Sequence, residues 1–223
     1  MVETNYAAVT GDLVASKKAP ADFRAKVQRE TIKVINELNH ELDEYLVRPA
    51  VLTAGDEIQA LFSAPSQVVR FVQTIKDRLY GAGEPTQDIV FGLGWGPLST
   101  GLLTEALTVE HLDGPCFHQA RETLNMAKKK QTWVVLKGFG EELDRTLCSL
   151  FELMSSIRGD WTAKQSWYTV ELRRLGKRIA LAEYLGKSPS VITESLQRSH
   201  FDAILNGEQA VRCILQQFDP GKK

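Results

Sequence analysis

Two short apolar segments that each run into a Gly-Asp turn constrain this chain more than anything else in it. Tyr6-Ala7-Ala8-Val9 leads into Thr10-Gly11-Asp12, and Pro49-Ala50-Val51-Leu52 leads into Ala54-Gly55-Asp56-Glu57. Between them Phe23, Val27, Thr31, Val34, Ile35, Leu38, Leu42 and Tyr45 recur at helical spacing, which makes one apolar stripe along a helix. Segments 48–54 and 57–63 flank Gly55-Asp56 as the arms of a hairpin do. Val68, Val72, Ile75 and Leu79 mark a second helix, stopped by Gly81-Ala82-Gly83-Glu84-Pro85, and Asp88 to Gly96 reads as a glycine-rich strand. The order βαββαβ is the split, ferredoxin-like plan of an α+β fold. In that plan strands 1 and 2 run parallel with strand 3 antiparallel between them. The end of strand 1 and the strand 2–3 turn then share one edge of the sheet, and Asp12 and Asp56 are expected as neighbours there.

A helix from Pro115 to Lys129, a strand from Thr132 to Leu136 and a helix over 141–157 follow. From Asp160 the pattern turns to short helices without strands. The expected division is an α+β domain over 1–157 and a small all-helical domain over 158–223. Charge divides the same way. Residues 1–159 carry 17 basic and 21 acidic side chains, giving −4, and residues 160–223 carry 10 and 7, giving +3. The net charge of −1 argues against a nucleic-acid footprint over the whole chain, while the basic tail points to a polyanion there. Cys116, Cys148 and Cys213 offer neither a disulfide framework nor zinc spacing. No apolar run reaches membrane-spanning length, so a reducing, cytoplasmic setting without membrane contact is expected.

Paired carboxylates at one sheet edge suit Mg²⁺ or Mn²⁺, which takes a few hard oxygens and leaves the rest of its shell to water and phosphate. Asp12 and Asp56 are the candidate metal ligands, with Glu57 either a third oxygen donor or a solvated hairpin residue. Each Gly-Asp is also a common turn dipeptide taken alone. Ser16, Lys17 and Arg24 lead into a helix N-terminus, where backbone N–H groups and cations favour phosphates. Phe91-Gly92-Leu93-Gly94-Trp95-Gly96 is no dinucleotide loop, because Ser99 takes the third glycine position and no helix opens from it. Its alternating glycines admit another backbone or a ligand ring. Asp113-Gly114-Pro115 opens a helix whose apolar stripe is Phe117, Ala120, Leu124 and Ala127, with Arg121 off the stripe and within reach of phosphates. Lys128-Lys129-Lys130 reads as a solvated helix end that suits the dipole.

Lys177 to Ser199 has the pattern of a helix-turn-helix, with or without a wing. Ala182 allows close packing, Gly186 makes the turn, and Ile192 is buried, with Ile179, Leu185 and Leu196 completing the core. In that reading Ser188, Ser190, Thr193, Glu194 and Gln197 face base edges of double-stranded DNA, and Arg178, Lys187 and Arg198 contact phosphates. A small helical interaction domain fits the same pattern.

Taken together these residues resemble the SatD family. The set comprises Gly11-Asp12 with Ser16-Lys17, Arg24, the Gly55-Asp56-Glu57-x-Gln59 hairpin, the Gly92/Gly94/Gly96 strand, and Asp113-Gly114-Pro115 with Ala120-Arg121. More distantly, the N-terminal part is similar to the palm-like domain of class III nucleotidyl cyclases and diguanylate cyclases. That resemblance implies metal binding by Asp12 and Asp56, and a transition-state role for Arg121. It implies a homodimer as well. Leu52 stands where a class III cyclase has its base-recognising lysine, and Phe117 where it has an asparagine. The expectation is a regulator that binds a nucleoside triphosphate or related nucleotide with the metal. Phosphates fall to Ser16, Lys17, Arg24 and Arg121, and the nucleotide is also bordered by Gln59, Gly94, Asp113 and Gly114. A metal-dependent nucleotidyl cyclase or nucleotidyltransferase, with Asp12, Asp56 and Arg121 catalytic, and a catalytically inactive interaction module are the alternatives.

Overall fold

The computed structural model describes residues 4–14, 20–53, 56–80, 87–99 and 108–221. Its elements are β1 (Asn5–Leu13), α1 (Ala21–Glu41), β2 (Leu46–Thr53), β3 (Glu57–Phe62), α2 (Gln67–Tyr80), β4 (Ile89–Pro97), α3 (Pro115–Lys130), β5 (Val134–Lys137), α4 (Glu141–Gly159), α5 (Ala163–Leu175), α6 (Arg178–Leu185), α7 (Pro189–Arg198) and α8 (Phe201–Leu215). One mixed sheet of five strands has the order β2-β3-β1-β4-β5. β3 lies between β1 and β2 and is antiparallel to both, so β1 and β2 run the same way. β4 is antiparallel to β1 and parallel to β5.

Side-chain alternation along β1 assigns the two faces of the sheet. Ala7, Val9 and Leu13 enter the larger core with the stripes of α1 and α2, which bury Val27, Val34, Ile35 and Leu38, and Val68, Val72, Ile75 and Leu79. Ala8 turns to the other face, where it packs with Leu61 against Cys116 and Ala120 of α3. The larger cluster continues without a break into Leu181, Ile192, Phe201 and Val211 of the C-terminal helices. A strap closes it: Phe218 meets Trp95 and Phe139 edge-on, and the Asp219 carboxylate accepts from Ser66 N at 3.1 Å and Ser66 Oγ at 2.6 Å.

The glycines of β4 decide where α3 lies. A Cβ on Gly92 would sit 2.1 Å from the Ala120 carbonyl oxygen, and one on Gly94 would sit 2.0 Å from that of Cys116. The helix backbone therefore rests directly on the strand, which is the first of the two roles open to alternating glycines.

Two local expectations are corrected. β5 starts at Val134 rather than Thr132, because Thr132 Oγ1 and Trp133 N are both engaged by Ser155 Oγ of α4. Ile179 is 65% exposed and not part of the α6–α7 core. It precedes the buried Leu181 by two residues, about 200° around a helix, so the two side chains point opposite ways.

Candidate functional site

Asp12 at the end of β1 lies directly opposite Glu57 of β3 in the antiparallel register, which puts both side chains on the α3 face. Leu13 N donates to the Asp56 carbonyl at 3.2 Å, so the backbone of the second turn abuts the first. α3 supplies the cations. Arg121 and Lys128 are seven residues apart, about two turns, and share a face. Arg121 forks the Glu57 carboxylate, with Nη1 donating to Oε2 and Nη2 to Oε1 at 2.6 Å. Gln59 Nε2 donates to Glu57 Oε1 at 2.8 Å, and Lys128 Nζ lies 2.8 Å from Asp12 Oδ2. The hydrogen bond from Arg121, with help from Gln59, holds Glu57 below the usual carboxylate range despite partial burial.

The two pairs are wet. Arg121 is 50% and Lys128 is 42% exposed, against 18% for Glu57 and 25% for Asp12. Pairs of this exposure contribute little to stability, about 0–1 kcal/mol, and can be exchanged for other partners. The donor set gathered here offers hard carboxylate oxygens from Asp12 and Glu57, with the backbone of Asp56 beside them. Among the described residues no three or more His, Cys, Asp or Glu side chains are grouped so that they could hold a metal ion. Mg²⁺ does not need such a group, because it is usually held by one or two carboxylates plus water and phosphate. The residues fit such an ion once Lys128 swings off Asp12.

The remaining candidates divide by position. Arg24 is exposed on the first turn of α1, and Ser16 and Lys17 lie outside the described residues. Gly94 is covered by α3. Asp113 and Gly114 are at the opposite end of the sheet, because α3 begins over Gly94 and Gly96 and ends beside Asp12. From Gly114 to Lys128 the helix rises about 21 Å. Asp113 instead lies 3.3 Å from His118 Nε2. The residues expected to border the base or ribose are thus not gathered with the carboxylates. Glu57 and Lys128 are gathered there instead. In the sequence Glu57 suits a ligand and a hairpin surface equally, and Lys128 belongs to a lysine run that suits a solvated helix end. The seven-residue spacing from Arg121 was the signal that could have found Lys128.

In the C-terminal region α6 and α7 join at Gly186, which has φ 58°, and Lys187 N donates to the Ala182 carbonyl at 2.9 Å. Leu181, Ala182, Ile192 and Leu196 are buried beneath them. Lys187, Ser188, Ser190 and Gln197 are exposed and Thr193 is half-buried. Ser188 Oγ and Ser190 Oγ share a hydrogen bond of 2.9 Å. Two of the expected phosphate contacts already have acidic partners: Arg178 bonds Asp202, and Arg198 bonds Glu194, each at 2.6 Å.

The SatD family profile matches residues 6–211, and the chain belongs to that family. No curated protein matches it in sequence. Solved structures similar to it include a bacterial light-regulated adenylyl cyclase, at 12% identity and a TM-score of 0.45, covering 60% of this chain and 43% of that one. A second is the catalytic core of a rhodopsin-guanylyl cyclase with converted specificity, solved with ATPαS, at 16% identity and a TM-score of 0.44, covering 55% of this chain and 72% of that one. A third is the guanylyl cyclase domain of the RhoGC fusion protein from the aquatic fungus Blastocladiella emersonii, at 16% identity and a TM-score of 0.43, covering 55% and 74%. The chain thus spans less than half the length of the first of these. Among the described residues no helix is long and apolar enough to cross a membrane.

Proposed function

We propose that this SatD-family protein is a regulator that binds a nucleotide with Mg²⁺ or Mn²⁺ at the β1–β3 edge of a ferredoxin-like, cyclase-like palm. One observation carries the reading: two carboxylates in register at one sheet edge, each matched to a cation on a single face of α3. Asp12 and Asp56 offer oxygens to the metal, which when bound would neutralise the phosphate oxygens it bridges. Glu57 holds Arg121 extended over the edge, and Arg121 and Lys128 turn from carboxylates to phosphates as the ligand enters. Ser16, Lys17 and Arg24 complete the phosphate contacts from the β1–α1 side. By the resemblance to class III cyclases, Leu52 stands in place of their base-recognising lysine and Phe117 in place of their asparagine. That difference supports binding without turnover.

Thermal unfolding with each nucleoside triphosphate, with Mg²⁺ and with chelator, tests this. One nucleotide is expected to stabilise the protein only with the metal, and no product is expected to form. A cyclic or pyrophosphate product would establish the nucleotidyl cyclase or nucleotidyltransferase alternative. Indifference to all four nucleotides would leave an interaction module.

A second reading concerns α6 and α7, which we propose contact double-stranded DNA as a helix-turn-helix. The left-handed turn at Gly186 and the buried Leu181, Ala182, Ile192 and Leu196 support it, since they fix α7 with Ser188, Ser190 and Gln197 outward. With Arg178 and Arg198 tied to acids, Lys187 is the principal phosphate contact. A mobility shift abolished by Lys187→Glu and by higher salt is the expected result. A shift that Lys187→Glu leaves unchanged would remove this reading.

A further inference from the structure

On the face of the sheet opposite α3, a groove of about 1070 Å³ runs between α1 and α5, with α2 as its floor. Small-molecule pockets usually enclose about 300–1,000 Å³, so a groove of this size suits a segment of chain better than a compact ligand. α1 presents Lys26, Arg29 and Lys33, all exposed, at spacings of three and four along one helix face. Together they cover about 10.5 Å of the helix axis. α5 presents Trp167, Val170, Glu171 and Arg174, which also share one face. Trp167 is 42% exposed, an aromatic anchor with no apolar cover, and Arg174 lies over the exposed Tyr184 ring at 5.0 Å.

Every acid that lines the groove already has a cation. Glu30 and Glu37 pair with Arg78 at 2.9 and 3.0 Å, Glu171 with Arg174 at 2.6 Å, Asp77 with Arg173 at 3.0 Å, and Glu41 with Arg70. Among the described residues no ion pair joins Lys26, Arg29 or Lys33 to an acid. Seven cations and five acids line the groove, and the positive excess is gathered on α1. The placement of the acids decides what kind of anion fits. A nucleic-acid strand is charged at every phosphate and would run over Glu30, Glu37 and Glu171. A helix can set carboxylates opposite the three α1 cations alone and turn an apolar stripe to Trp167 and Val170.

We propose that this groove receives an acidic amphipathic helix of a partner protein, with Asp or Glu at three- and four-residue spacing opposite Lys26, Arg29 and Lys33 and an apolar stripe on Trp167 and Val170. A third helix laid between two others is a recurring mode of recognition, with axes about 8–10 Å apart. The α1 cations steer the partner in and fix its register, and Trp167 supplies the buried anchor. The surface lies away from the carboxylate edge and depends on neither metal nor nucleotide.

The test is fluorescence anisotropy of labelled probes titrated with the full chain. The first probe is a helical peptide of about 20 residues, about 30 Å long, with Glu and Leu on adjacent stripes. The others are the same peptide with Gln in place of Glu, and an oligothymidylate. The Glu/Leu peptide is expected to bind saturably and more weakly as salt rises, and the Gln form to bind about tenfold more weakly or worse. Two variants locate the site: Lys26→Gln, Arg29→Gln and Lys33→Gln combined, and Trp167→Ala. Each is expected to weaken binding of the Glu/Leu peptide by about tenfold or more. All four side chains are exposed, so Tm should stay within a few degrees of wild type. Absence of saturable binding by the Glu/Leu peptide overturns the proposal, as does equal binding of the Gln form or an affinity that both variants leave unchanged. Tighter binding of the oligothymidylate, lost in the same variants, overturns it as well and assigns the groove to nucleic acid.

Discussion

The protein carries two clusters built from the same residue types, and burial separates their roles. At the sheet edge Asp12–Lys128 and Glu57–Arg121 are half open to water. Beneath the C-terminal helices Asp77, Arg158, Arg173 and Glu208 join α2, α4, α5 and α8 with almost none of Asp77 or Glu208 exposed. Water screens the first set, so its partners can be exchanged for a ligand at little cost. The second set has lost its hydration, and only the opposite charges keep it tolerable. Burial alone would push Asp77 up, yet Arg158 and Arg173 outweigh it and hold the carboxyl below its ordinary range. One cluster is suited to recognition, and the other fastens helices.

Removing Asp77 would break that contrast most visibly. Asp77→Ala leaves the buried Arg158 guanidinium without its acid, while Arg173 keeps Glu208, and is expected to cost about 3–5 kcal/mol in urea unfolding. A loss below about 1 kcal/mol would place the buried cluster with the exposed one.

Next comes pH. Glu208 is raised from 4.5 to about 7 in the fold, so its stabilising contribution is full below 4.5 and is lost as pH rises through 7. The effect is on the order of 3 kcal/mol, and Glu208→Gln should flatten the stability profile across that window. Asp77 has the opposite sign: its lowered value gives stability above its ordinary 3.8 that is lost as the solution becomes more acid. A Glu208→Gln profile parallel to wild type would show that the carboxyl is not desolvated.

Gly94→Ala follows, at about 1–3 kcal/mol, because a methyl would meet the Cys116 carbonyl and lift α3. Both edge cations ride on that helix, so nucleotide binding should weaken with it. Smallest in stability is Glu57→Gln, expected within about 1 kcal/mol of wild type. It should nevertheless tighten nucleotide binding, since Arg121 no longer has a carboxylate to leave for the phosphates.

Much of this arrangement was legible in the sequence, and the rest was hidden for identifiable reasons. Strand order followed from hydrophobic period and turn chemistry, which brought the Asp12 and Asp56 turns to one edge before any coordinates. The helical spacing of Val27, Thr31, Val34, Ile35 and Leu38 matches the buried stripe of α1 residue for residue. Glycine spacing in β4 showed that something approaches closely, but not whether it is a helix or a ligand. That depends on how α3 docks, a tertiary choice with no local signature. For the same reason Asp113 and Gly114 were grouped with a site from which the helix carries them away. Ile179 was apolar and near the right spacing, yet the phase of α6 is set by Leu181 and Ala182. The buried cluster was invisible because its members lie on four helices far apart in the chain.

Manganese binding tests the central claim most directly. Mn²⁺ titrated into the protein with and without nucleotide, followed by its paramagnetic resonance signal, reports the metal without requiring turnover. Wild type is expected to bind one ion whose affinity rises with nucleotide, and Asp12→Ala and Asp56→Ala should each abolish that site while Tm stays within a few degrees. Undiminished, nucleotide-coupled binding in both variants would contradict the assignment of this edge as the metal and nucleotide site.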